Sequence, residues 1–185
     1  ADQFSTTQDA SLPTSAAEIT PMAALTVRYP FQKRSKTGAR HIVEPLVQFG
    51  WVGGDNPAVA NDESTRVEFD EGNLLSLSHF PAADRRERGA MLAYGLSWTR
   101  QGPKGWESNL TFGQVLREEV QADFSDTSGL SGRHSDVLLA GQLRSGSGLS
   151  FTGRALFDND LDLSKAEARA SYQQKRFGVG ASYVW

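Results

Sequence analysis

From Thr20 onward, apolar and polar residues alternate with a period of two, interrupted by polar stretches of very different lengths. Successive side chains of an extended strand point to opposite faces, so this rhythm predicts half-buried strands. Pro21, Ala23, Leu25, Val27, Tyr29 and Phe31 share one face of the first segment, with Thr20, Ala24, Thr26 and Arg28 on the other. Val43, Pro45, Val47, Phe49 and Trp51 repeat the pattern, as do Leu92, Tyr94, Leu96 and Trp98, and later Phe177, Val179, Ala181, Tyr183 and Trp185. Strands are expected near 20–31, 41–51, 90–99, 106–116, 136–144, 149–157, 162–172 and 177–185, with residues 1–18 as a loop. Pro45 cannot donate a ladder hydrogen bond, which predicts a bulge or a local gap in pairing.

The interruptions obey a parity. Residues 1–18, 52–89 and 117–135 are long and polar and fall at one end of the strands; 32–39, 100–105, 144–148 and 173–176 are short and fall at the other. Only Asp158–Asp160 is short at the long-loop end. Membrane β-barrels show this asymmetry, with short periplasmic turns and long external loops, and strands of roughly ten residues suffice to cross a bilayer at a tilt. The less apolar face carries charges in mid-strand (Glu44, Arg154, Lys165, Glu167 and Arg169), as a wet lumen permits. Tyr29, Phe31, Trp51, Trp98, Trp106, Tyr183 and Trp185 lie near strand ends, where a headgroup girdle would place them. A soluble antiparallel sandwich also alternates, but nothing besides the strands is expected to supply it with a core.

The fold class expected is therefore all-β: an antiparallel transmembrane β-barrel segment of about eight up-and-down strands. Composition narrows the function. The 185 residues carry a formal net charge of −3 and a pI near 5.6, which gives no electrostatic case for nucleic acid. There is no Cys, so thiol chemistry, disulfides and Cys-based zinc sites are excluded in this segment. No run approaches the length of a membrane helix. The mean hydropathy of −0.43 looks soluble, but alternating barrel strands hide behind such an average.

Candidate chemistry is sparse. His134-Ser135-Asp136 invites a hydrolase reading, but neighbours on a strand point apart and do not form a nucleophile–base pair. The acidic run Asp62, Glu63, Glu68, Asp70 and Glu71 offers hard oxygen ligands, yet it lacks EF-hand spacing and reads better as a solvated loop. Gly178-Val-Gly180 reads as small lumen-facing residues. No catalytic residue, cofactor or metal is expected.

Three segments carry a family resemblance. Val27-Arg-Tyr-Pro-Phe31, Gly38 and His41-Ile-Val-Glu-Pro-Leu-Val-Gln-Phe49 form a strand pair. A loop motif follows with Asn61, Ser64, Glu68, Phe69, Asp70 and Asn73, and then Phe80, Asp84, Arg85, Gly89 and Tyr94-Gly-Leu96. In this order they resemble the LPS-assembly outer-membrane protein family, LptD (also called OstA or Imp), most densely over residues 27–100. Glu71-Gly72 and Ala82-Ala83 depart from the family's loop pattern.

The resemblance implies a non-enzymatic role in the outer membrane of a Gram-negative cell: part of the translocon that inserts lipopolysaccharide into the outer leaflet. It also implies that the segment is an open arc of a larger barrel, with a plug lipoprotein, LptE, and a periplasmic bridge acting through a domain not recognisable in these residues. Strand parity alone nominates Glu44, Gln48, Asn109, Arg154, Lys165, Glu167 and Arg169 as lumen-facing candidates for plug or glycan contact. The alternative is a self-contained eight-stranded barrel with a structural or adhesin-like role, and Gly180-Ala-Ser-Tyr183-Val-Trp185 resembles a terminal barrel strand. Refolding residues 1–185 in detergent separates the two. A heat-modifiable gel band from this segment alone would support the small barrel, whereas the open arc is expected to shift only within a longer parent chain.

Overall fold

A computed structural model describes residues 2–5, 15–56 and 67–185. Every long element is a strand: β1 (Asp2–Ser5), β2 (Ser15–Glu18), β3 (Met22–Arg28), β4 (Phe31–Arg34), β5 (Arg40–Val52), β6 (Gly89–Gln101), β7 (Glu107–Arg117), β8 (Val137–Arg144), β9 (Leu149–Phe157), β10 (Leu163–Gln173) and β11 (Gly178–Val184). Strands β3 to β11 form one antiparallel up-and-down sheet, with β1 and β2 paired separately. The order is β11-β10-β9-β8-β7-β6-β5, with β3 and β4 both beside β5. The ends do not pair with one another, so the sheet is an open barrel arc.

Two boundaries differ from expectation. Residues 1–18 are not loop throughout: Asp2–Ser5 pairs with Ser15–Glu18. Backbone pairing of two polar segments needs no amphipathic rhythm, so periodicity could not announce it. The first long strand is split, and its second half extends through Arg34, which leaves a turn only at residues 35–39. The register is continuous across the split, with Arg28 opposite Leu46 and Phe31 opposite Val43. Pro30 and Pro45 therefore fall at the break, and neither supplies an N–H. Only Tyr29 N–H reaches across, to the Pro45 carbonyl at 3.3 Å. The gap foreseen at Pro45 lies on its β3 side alone; on the β6 side Pro45 stays in register opposite Leu96.

The register sorts the side chains. One face carries Leu25, Val27, Val47, Phe49, Trp51, Leu96, Leu110, Phe112, Leu139, Phe151, Val179 and Tyr183. These are uncovered, from 38% exposed at Leu139 to 68% at Leu25. A broad exposed apolar face is not a normal soluble surface. The opposite face carries Gln48 and Gln142, the mid-strand charges, and the paired Gly95 and Gly113.

That second face is partly filled, and here the structure overturns the expectation that only strands supply a core. Residues 67–88 and 118–136 fold back over it. Phe69, Leu74 and Phe80 of the first loop and Phe124 and Leu130 of the second pack on Leu46, Met91, Ala93, Val115, Leu138, Ala140 and Leu156 from the strands. The loops are tied to each other where Phe69 N–H donates to the Ser128 carbonyl at 2.9 Å. Leu74 sits on a floor made by Gly95 and Gly113, which oppose each other in β6 and β7. A Cβ at Gly113 would stand 2.5 Å from Leu74 Cδ2. Gly113→Val should therefore lift the loop and cost about 1–3 kcal/mol, and Phe69→Ala should cost about 3–5 kcal/mol. Both are read as lower urea midpoints for the refolded full-length protein, and an unchanged midpoint in both would contradict this packing.

Candidate functional site

The covered, inner face divides along the strands into a loop-filled half and an open polar half. In the filled half a charged cluster is buried beneath the loops. Glu87 precedes β6, Arg117 ends β7, and His79 sits at the bend of the first loop. Glu87 Oε1 accepts the His79 backbone N–H at 2.8 Å and a contact from His79 Nδ1, while Glu87 Oε2 accepts from Arg117 Nε. Arg117 also donates to the Leu130 carbonyl at 3.2 Å and lies 5.1 Å from the Phe124 ring centre. All three residues are less than a tenth exposed. His79 Nε2 and Arg117 Nη2 have no polar partner among the described residues.

Burial alone would raise the Glu87 carboxyl, but the hydrogen bond and charge of His79, with Arg117 beside it, outweigh that and hold its pKa below the ordinary 4.5. The cluster is not a catalytic triad. Both carboxylate oxygens of Glu87 are taken up by His79 and Arg117, and Arg117 also holds the Leu130 carbonyl, so the cluster acts as an internal clamp on the loops.

The motif residues of the first loop are structural. Asp70 carboxylate accepts the backbone N–H of Gly72 at 2.8 Å and of Asn73 at 2.9 Å, while Asn73 returns a bond from its side chain to the Glu68 carbonyl at 2.7 Å. This tight turn points Phe69 and Leu74 at the sheet. Phe80 stacks on Phe124 with ring centres 4.4 Å apart. Arg85 reaches Asp123 at 3.6 Å and its own neighbour Asp84 through the backbone carbonyl at 2.9 Å. Gly89 takes a φ of 86° where the loop turns into β6, a conformation that favours glycine. Asn61 and Ser64, with Asp62 and Glu63, lie outside the described residues.

All seven residues nominated by strand parity share the inner face by register, but they divide by role. Gln48, Arg154 and Lys165 hold the first loop. Gln48 donates to the Leu75 carbonyl at 2.7 Å, Arg154 lies 3.2 Å from the Glu71 carboxylate, and Lys165 lies 2.6 Å from that of Glu68. Asn109, Arg154, Glu167 and Arg169 line the open half, a cavity of about 480 Å³ that Glu71 closes at the loop side. Glu44 stands apart near the turn end, 3.9 Å from Arg28. Gly178 and Gly180 also fall on this face, opposite Gln173 and Ser171.

Two other readings are now placed. The described part of the acidic run is engaged in ion pairs and a turn, not in a cation site. Ser135 Oγ accepts from the Val115 N–H at 2.9 Å and donates to the Asp136 carbonyl at 2.8 Å, so it is a lock between loop and sheet and not a nucleophile. Sequence reasoning missed His79, Glu87, Arg117 and the loop-side role of Glu71. The signal was present in the apolar residues Phe69, Leu74, Leu75, Leu77 and Phe80, which a freely solvated loop does not need.

Compared with known families, residues 1–185 match the model of LptD, described as LPS transport system D. The chain belongs to the LptD family. A search of curated proteins finds no match. The match extends over the whole chain, well beyond residues 27–100 where the motifs are densest. LptD is a transport and assembly family of the outer membrane and not an enzyme family, which fits a site built of clamps and a polar cavity.

In this LptD-family chain the Glu87 clamp has a defined pH dependence. A depressed folded pKa contributes stability that is fully present above about pH 4.5 and is lost as pH falls through the lowered value. Glu87→Gln leaves Arg117 buried without its counter-charge, at a cost of about 3–5 kcal/mol. Amide protection relative to the intrinsic exchange rate across residues 67–88 of the full-length protein should fall in the parent as pH drops through the lowered Glu87 pKa. The same protection should already be low at pH 7 in E87Q; equal protection in both proteins at every pH would contradict the clamp.

Proposed function

We propose that this segment forms part of the wall of the outer-membrane translocon that inserts lipopolysaccharide into the outer leaflet of a Gram-negative cell. The observation that carries the proposal is the sidedness of the sheet in a chain of this family: apolar and uncovered outside, charged and partly filled inside. That is the inverse of a soluble domain and the arrangement of a wall between lipid and a wet lumen. The short turns then face the periplasm and the long loops the cell exterior.

Within this reading the open inner cavity faces the path of the glycan. Arg154 and Arg169 are placed to meet anionic groups of lipopolysaccharide, and Asn109, Glu167, Gln142 and Thr152 to exchange hydrogen bonds with sugar hydroxyls. The loop of residues 67–88 is an inner stop at the outer mouth, held by ion pairs that a passing polyanion can compete for. The plug lipoprotein LptE would meet the remaining inner surface near Glu44. The periplasmic bridge would act through a domain outside these residues. The edges formed by β3 with β4 and by β11, which have no further strand among the described residues, favour an arc continued by further strands over a self-contained barrel.

A photo-crosslinking residue at Arg169 or Asn109 of the full-length protein in living cells should capture lipopolysaccharide, and one at Phe151, on the outward face at the turn end, should not. Reversing Glu167 and Arg169 together should lower surface lipopolysaccharide several-fold. No adduct from either inner position, together with normal export in the reversed variant, would rule the assignment out.

A further inference from the structure

The outward face of the large sheet is almost free of charge. Among its described strand residues, the formally charged side chains facing outward are Lys33 of β4 and Arg100 of β6, and His41 of β5 stands between them. The three are direct cross-strand neighbours: Lys33 opposes His41, and His41 opposes Arg100. They form one row at the turn end of the strands. The acidic side chains of these strands face the other way: Glu44 and Glu107 are both on the inner register.

The next row toward the sheet centre is Phe31, Val43 and Trp98, again in direct register. Lys33 and His41 line a groove of about 470 Å³ with the three apolar residues, Gln32 and Ser35, and Arg100 flanks it as the next residue of the polar row. Trp98 lies 6.0 Å from the His41 ring at a shallow 30° tilt, so the indole forms a flat apolar wall just above the polar row. A cationic row directly below an apolar groove has the polarity of one lipid molecule, phosphate at the membrane surface and acyl chain toward the bilayer centre. A soluble partner does not reach this surface when the sheet stands in a bilayer.

We propose that Lys33, His41 and Arg100 bind the phosphodiester of an anionic phospholipid in the turn-side leaflet, with its upper acyl chain along Phe31, Val43 and Trp98. The proposal rests on the membrane-spanning reading of the outer face but concerns a different surface from the lipopolysaccharide path. The ammonium of Lys33 and guanidinium of Arg100 supply charge from two sides, and the imidazole donates a hydrogen bond between them. The site would hold a boundary lipid beside the Pro30–Pro45 break, where the ladder is thinnest.

The test uses the full-length protein in phosphatidylcholine vesicles containing either brominated phosphatidylglycerol or brominated phosphatidylcholine, the bromines being contact quenchers of indole fluorescence. The Trp98 signal is taken as the difference between the parent and Trp98→Phe. Each surface cation favours an anionic lipid about fivefold, so with Lys33 and Arg100 together brominated phosphatidylglycerol should quench Trp98 at a mole fraction about 25-fold lower than brominated phosphatidylcholine. Lys33→Gln with Arg100→Gln should bring the two lipids level, and Lys33→Arg with Arg100→Lys should keep the preference. Heat-modifiable mobility verifies folding, and Lys33→Gln alone serves if the double variant does not fold. Equal quenching by both lipids in the parent overturns the headgroup site while leaving the membrane reading intact. Quenching by neither overturns both, and relief of phosphatidylglycerol quenching by millimolar inorganic phosphate shows a free-anion site in place of a lipid site.

Discussion

The register of the ladder from β5 to β7 is the constraint on which the rest depends. Side chains alternate faces residue by residue, so a slip of one position would send Gln48 and Arg117 outward and Phe49 and Leu116 inward. The same register sets Gly95 opposite Gly113 and so creates the shallow floor that receives Leu74. Sidedness, core and loop docking are thus consequences of one alignment. The run of thirteen paired positions between β5 and β6, from Arg40–Gln101 to Val52–Gly89, holds that alignment despite Pro45.

Charge on the inner face is arranged at two depths with different physics. Glu87 and Arg117 are removed from water, where a lone charge is costly, so they are matched to each other and to His79 and act as a fixed clamp. Lys165, Arg154, Glu68 and Glu71 are partly open to solvent, where an ion pair contributes little net stability and is easily exchanged. The first loop is therefore held at its base by the buried clamp, and near Glu68 and Glu71 by the burial of Phe69 and Leu74 more than by the ion pairs beside them.

The two proline positions show how a weakness can be local. Pro30 and Pro45 thin the ladder between β5 and the edge formed by β3 and β4, yet β5 remains fully paired to β6. The cost falls on the edge of the described sheet and not on its centre, where Pro would be hard to accommodate.

The sequence by itself determined the strands from β5 to β11, their faces and the parity of the loops, but not the β1–β2 pair or the split between β3 and β4. Seven residues chosen only by alternation, from Glu44 to Arg169, all share the inner face. Alternation is a local property, and strand geometry converts it directly into direction. The family motifs were legible for the same reason: they are contiguous. The loop core, the Glu87 clamp and the pairing of Glu68 with Lys165 were not legible, because their partners are far apart in the chain and meet only where the loop folds back. Nor could alternation show that Arg154 and Lys165 meet a loop of their own chain, or that Lys33, His41 and Arg100 form a single row. Those facts belong to the tertiary structure, because a side chain's direction is set by its own strand but its partner is chosen by the register and by what folds over the sheet.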